Sequence, residues 1–287
     1  MTPPARPTRR QVIHGYLVLP HAVPIIVVLA ATAAFALVAA RGWPGWGDLL
    51  CLVGAMFGGQ LAVGAVNELV DAELDAVAKP EKPIPAGLVS WRGAWVVTIG
   101  GLLLMAMLSL RFDLEAFVLL AIANGSGIAY SLWFKRTIWA WVPYLVSLPL
   151  IPIWVWAALD EIISGLFAIY PIGAAAVIAV QIAQSLPDIE GDRRTGVRTL
   201  AVAIGPEHAH HIAWGAMLLA SALAAVLAPW LTDHPERVWI GAALAVLLVG
   251  INAVIWQRNP RSGALAAFPC LAPAATLLGL GWAAGLV

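Results

Sequence analysis

The chain has 287 residues, 61% of them hydrophobic and 11% charged, with a mean hydropathy of +0.88. That apolar excess is more than a soluble domain of this size buries, and it predicts an all-α, polytopic membrane protein. The 16 basic and 16 acidic residues cancel, which leaves no case for a nucleic-acid partner. Cys51 and Cys270 fall inside apolar runs and suggest neither a disulfide framework nor a zinc site.

Taken in order, nine spans are long enough to cross a hydrocarbon core of about 30 Å. They are expected at Tyr16–Ala40, Leu49–Val66, Trp91–Leu110, Leu114–Trp133, Ile138–Leu159, Ile162–Leu186, Ile212–Trp230, Val238–Ile255 and Gly263–Val287. The runs are continuously apolar with no period of two, which favours helices over a membrane barrel. The first follows Arg9 and Arg10 like a signal peptide, but its apolar run is too long for one, so it is read as a helix. No Gly/Ser-rich or Pro-rich linker interrupts the chain, and residues 1–287 are expected to form one domain.

Loop charges orient these spans. With the N-terminus in the cytoplasm, 13 of the 16 basic residues, from Arg6 to Arg261, fall on the inner side, and only Arg41, Arg111 and Arg237 lie outside. The positive-inside rule then predicts a cytoplasmic N-terminus. Trp43, Trp46, Trp91, Trp139, Trp230 and Trp239 fall near span ends, where tryptophan serves as an interfacial anchor.

Two acidic stripes break the apolar pattern. Asn67, Asp71 and Asp75 recur every four residues at the end of the second span, and Gln184, Asp188 and Asp192 repeat that spacing at the end of the sixth. On a helix each set forms one face. Carboxylates at a membrane boundary are expensive unless compensated, so the two clusters suggest a shared cationic ligand. Mg²⁺ takes oxygen ligands, one or two carboxylates plus substrate phosphate, which suits a diphosphate bridged to both stripes. Duplicated helical bundles would bring the stripes face to face.

Basic residues follow each stripe: Lys79 and Lys82 after the first, Arg193, Arg194 and Arg198 after the second. They can neutralise phosphate charge, and they equally satisfy the positive-inside rule. His21, beside Pro20 and Pro24, is a candidate acceptor contact or base, or a buried histidine bonded within the bundle. His208, His210 and His211 are read as a solvated helix start, Gln60 and Gln181 as facing a cavity, and Asn124, Gly125 and Gly127 as helix-packing positions. Tyr130, Trp133 and Tyr144 are candidate lining residues for a carbocation, with plain packing as the alternative.

The runs NELVDAELDAVAKPEKPIPAG and PDIEGDRRTGVRTLAVAIG, with Tyr130-Ser131 and a nearby Lys135, resemble the UbiA superfamily of intramembrane prenyltransferases over about Gln60–Gly205. The resemblance implies nine helices around a central cavity with a cytoplasmic cap, and an active site near the cytoplasmic face. It implies that Asn67, Asp71, Asp75, Asp188 and Asp192 hold Mg²⁺ and the diphosphate of an isoprenoid donor, with Lys82 and Lys135 as diphosphate partners and Tyr130 in the catalytic set. The other partner is then a hydrophobic acceptor such as an aromatic, a quinone precursor or a lipid. Three departures stand out. Glu68 replaces the Asp that commonly follows the Asn, Lys135 lies five residues beyond Tyr130 where several members use four, and the first helix lacks a frequent Arg. A membrane terpene cyclase would use the same ionisation, and a divalent-cation transporter would also carry paired Asp stripes.

Overall fold

The computed structural model describes residues 7–159, 162–194 and 196–287, and every regular element among them is helical. Helix α1 (Arg9–Val18) starts at Thr8, whose side chain caps the backbone while Gln11 returns the bond. Pro20 ends it, and His21 turns the chain at φ 59° into α2 (Ala22–Ala39). The first span therefore begins at Ala22 and not at Tyr16 as the hydropathy suggested. The Leu19-Pro20-His21 break divides one apolar run into a surface helix and a spanning helix.

Helix α3 (Trp46–Ala78) runs for 33 residues, well past Val66 where the sequence reading stopped it. Ala, Leu and Glu dominate its last turns and no breaker intervenes before Pro80, so the acidic stripe lies on the same uninterrupted helix as the span. Helix α4 (Trp91–Ser109) is capped by Ser90, and α5 (Leu114–Ala129) by Asp113, which accepts from the Ala116 amide at 2.6 Å. A π turn over Tyr130–Phe134 ends α5.

The later helices are α6 (Val142–Leu159), α7 (Ile169–Ser185), the short α8 (Ile189–Arg194) and α9 (Leu200–Ile204), then α10 (Pro206–Leu231), α11 (Pro235–Arg258) and α12 (Pro260–Gly285). The last three each begin with Pro at the first helical position, where its missing N–H costs nothing. Among the described residues nine helical stretches are long and apolar enough to cross a membrane. Small residues let them approach closely: a Cβ on Gly58 of α3 would lie 2.6 Å from the Gly101 carbonyl of α4.

Two cores flank the centre of the bundle. One gathers residues of α2, α3, α5 and α6, the other residues of α7, α10, α11 and α12. Large apolar side chains cover the outside, among them Val96, Leu103 and Ile240, as lipid contact requires. The six tryptophans assigned to span ends are all exposed.

Candidate active site

A cavity of about 720 Å³ lies between the two cores, apolar along its depth and lined with charge at one end. Both acidic stripes reach that polar end. Asn67, Asp71, Asp75, Lys79, Lys82, Tyr130, Lys135, Gln184, Asp188, Asp192 and His21 all line it, as does Arg136. The first stripe is on one helix as expected. The second is not: a 3-10 turn over Leu186–Asp188 separates α7 from α8, so Gln184 lies at the end of α7, Asp188 lies in the turn and Asp192 sits on the short α8. Pro187 lacks the amide that would continue the α ladder, which accounts for the break.

The carboxylates are neutralised by the chain's own cations. Lys82 Nζ lies 2.8 Å from Asp75 and 2.6 Å from Glu68, and Lys135 pairs with Asp71 and donates to Asn67 Oδ1 at 3.0 Å. Arg136 reaches the other Asp71 oxygen at 3.1 Å. Lys79 crosses the cavity mouth to Asp188 at 2.9 Å and so joins the two halves of the molecule. A backbone bond of 3.2 Å from the Arg198 amide to the Arg136 carbonyl ties the same two halves at loop level.

Burial opposes the charge on Lys82, but its bonds to Asp75 and Glu68 outweigh that, and its pKa is raised above 10.5. Lys79 is raised likewise: burial acts to lower it and the Asp188 carboxylate prevails. Lys82 is presented by a compact loop in which the Pro83 carbonyl accepts from both Leu88 and Val89 at 3.0 Å, and Val89 is buried beneath it.

The π turn explains the spacing at Lys135. Its amide donates to the Tyr130 carbonyl at 2.8 Å, five residues back. One extra residue is thus absorbed in a wider turn, and the ammonium still arrives opposite Asp71. Tyr130 packs edge-on to Tyr144 with centroids 5.2 Å apart, and Tyr144 is hydrogen-bonded to Gln184.

Two polar residues that matter here were not assigned to the site from sequence. Glu68 is buried at 1% exposure behind the cavity wall, holding Lys82 and, at 3.0 Å, His21 Nε2. Its place next to Asn67, where an Asp commonly stands, was the signal. Arg136 adjoins Lys135 and was hidden among inner-loop charges.

Several expectations fail. Arg193 is exposed and outside the cavity, as is Arg194, which pairs with Glu190 on its own helix. Trp133 is 70% exposed and points away from the cavity that Tyr130 and Tyr144 line. Gln181 is buried against Ser185 and outside the lining, whereas Gln60 does face the cavity. His210 is fully buried, bonded to Asn252 at 3.2 Å and stacked 3.8 Å from Trp256, while His208 and His211 are exposed. A contact with α11 decides that, and periodicity on α10 alone does not show it. Asn124 packs on Gly59 and Gly127 on Val63, but a Cβ added at Gly125 would find no atom within 4 Å among the described residues.

The donor set suits Mg²⁺, being carboxylate and amide oxygens gathered at one cavity end. No group of three or more Asp, Glu, His or Cys converges on a single point among the described residues. Mg²⁺ needs no such cage, since it uses one or two carboxylates together with phosphate oxygens and water.

Charge at one end of a deep apolar cavity, inside a helical membrane bundle, defines a class of protein that handles a long apolar molecule with an anionic head. The chain belongs to the UbiA prenyltransferase family, whose model matches residues 27–283. It is 30% identical over 207 residues to a digeranylgeranylglyceryl phosphate synthase of Natronomonas pharaonis, covering 70% of this chain and 73% of that one. It is 32% identical over 242 residues to the bacteriochlorophyll synthase 33 kDa chain of Cereibacter sphaeroides, covering 76% and 75%. Its fold is similar, at a TM-score of 0.71 and 19% identity, to a UbiA homolog from Archaeoglobus fulgidus bound to GPP and Mg²⁺, over 95% of this chain and 100% of that one.

Proposed function

We propose that this protein transfers a prenyl group from an allylic isoprenyl diphosphate to a hydrophobic acceptor within the membrane, in a Mg²⁺-dependent reaction. The observation that carries the reading is the meeting of Asp71 and Asp75 with Asp188 and Asp192 at the mouth of one apolar cavity. The metal would be held by Asn67, Asp71, Asp75, Asp188 and Asp192. When bound, it supplies a Lewis acid that offsets diphosphate charge as the allylic C–O bond breaks.

The chain's own groups do the rest. Lys79, Lys82, Lys135 and Arg136 already sit among the carboxylates, so each is in place to meet phosphate oxygens as the carboxylates turn to other ligands. Glu68 keeps Lys82 and His21 aligned from behind the wall. The leaving diphosphate takes the C–O electron pair, and the allylic cation forms beside the Tyr130–Tyr144 ring pair and Gln184. The apolar walls exclude water until an acceptor atom donates its electrons to that carbon and loses a proton. A divalent-cation path fits poorly, because both acidic stripes lie at one end of the cavity and its depth is lined by apolar side chains such as buried Phe35, Met56 and Trp282.

The same reading places the N-terminus and the site on the cytoplasmic side. It rests on the 13 basic residues assigned to that side, of which Arg6 lies outside the described residues. It also treats 1–287 as one domain, since both halves line the cavity. The test is purified protein with Mg²⁺ and a series of allylic diphosphates, following diphosphate release with and without candidate acceptors. Acceptor-dependent release supports transfer. Release with a cyclised hydrocarbon product would make the protein a cyclase, and no release in any mixture would overturn the reading.

A further inference from the structure

The depth of the cavity is measured by the helices that line it. Fourteen residues separate His21 from Phe35, fifteen separate Asp71 from Met56 on α3, and fifteen separate Gln184 from Ile169 on α7. At about 1.5 Å per residue each interval is about 21–23 Å. Three walls therefore reach a common floor at one depth. Trp282 closes it from α12, anchored by its indole N–H to the Gly165 carbonyl at 3.0 Å. Phe35, Met56 and Trp282 are each at most 5% exposed.

Gly279 stands one turn before Trp282 on the same lining face. Among the described residues a Cβ built there would meet only Phe35, whose Cζ is 3.4 Å away, with nothing else within 4 Å. Any larger side chain at 279 would thus fill the lower end of the cavity over the Phe35 ring.

Resting on the transferase reading, we infer that Phe35 and Gly279 set the donor length, and that the cavity accepts a prenyl tail of about four isoprene units and no more. An extended unit advances four chain carbons at roughly 1.2 Å each, about 5 Å, so about four units span the interval from the carboxylates to the floor. The tail comes from lipid as apolar as the cavity wall, so added units bring little affinity. What the floor imposes is a steric cut-off: a fifth unit must displace a packed aromatic ring.

Non-reacting prenyl thiolodiphosphates of ten, fifteen, twenty and twenty-five carbons test this, titrated onto the detergent-solubilised full chain with Mg²⁺ and with inorganic diphosphate as baseline. The expected dissociation constants stay within about fivefold up to twenty carbons and weaken about tenfold or more at twenty-five. Gly279→Leu should move the break below twenty carbons, and Phe35→Ala should move it beyond twenty-five. Each is read as a ratio between lengths, so a general loss of folded protein cannot imitate it. Equal binding at twenty and twenty-five carbons, or variants that leave the ratios unmoved, overturns the assignment of the floor. If neither the thiolodiphosphates nor inorganic diphosphate binds in the presence of Mg²⁺, the transferase reading fails with it.

Discussion

Asp71 and Asp188 carry the same functional assignment but differ in what surrounds them, and their variants should separate accordingly. Asp71 is 8% exposed at its side chain and holds Lys135 and Arg136, whereas Asp188 is 53% exposed and pairs with Lys79. Alanine at either position should lower turnover about a hundredfold or more, because each removes an oxygen ligand at the site of charge development. Asp71→Ala also strands two cations in a half-closed cavity and should destabilise the protein by about 1–3 kcal/mol, while Asp188→Ala should leave its melting temperature unchanged. Kinetics and melting in detergent on the two variants check both statements. Glu68 should behave as a positioning residue. Glu68→Gln is expected to raise the donor KM about tenfold with a smaller change in kcat, and Glu68→Asp to restore part of it, because the buried carboxylate orients Lys82 without touching the cavity. Unchanged KM in Glu68→Gln would remove it from the site.

At the scale of elements, the loop after α3 and the turn after α5 each deliver a lysine by different means. Lys82 has a raised pKa, so its ion pairs contribute fully below its unfolded value near 10.5 and fade only as pH climbs through the higher folded value. The melting-temperature difference between wild type and Lys82→Met should therefore be flat from about pH 7 to pH 9 and shrink only above about pH 10.5. A difference that vanished by pH 8.5 would mean the pairs with Glu68 and Asp75 do not form. The π turn makes a separate expectation. Deleting exposed Trp133 brings Lys135 to four residues beyond Tyr130, where an ordinary α turn points it the same way. Turnover should fall by less than about tenfold, against a loss of about a hundredfold or more for Lys135→Ala. A deletion as damaging as Lys135→Ala would make the wide turn itself a requirement.

For the whole molecule the testable quantity is orientation. In a Cys51→Ser/Cys270→Ser background, single cysteines at Asp113 and Asp233 should react with an impermeant thiol reagent added outside intact cells, and cysteines at Glu81 and Gly196 should not. Strong external labelling at Glu81 would invert the molecule and move the carboxylate mouth to the opposite face. The ring of exposed tryptophans at helix ends, Trp43, Trp46 and Trp239 at one end and Trp91 and Trp139 at the other, marks the two interfaces between which those sites are placed.

Much of this was local and therefore readable in the chain. Nine apolar runs, a charge bias between loops and four-residue spacing of Asn67, Asp71 and Asp75 depend on neighbours in sequence, because helical period and hydrophobic length are properties of short segments. Tertiary structure decided what depends on residues far apart. The partner of Asp188 is Lys79, 109 positions away, and Asp71 meets Lys135 and Arg136 more than sixty positions on. Nothing in either segment names the other. The same holds for the burial of His210 by Asn252 and for the exclusion of Arg193, both settled by how α10 meets α11 and how the Pro187 turn aims α8. The depth of the cavity belongs to that second group as well. It is a distance between helix faces, and it exists only once the two cores have packed around it.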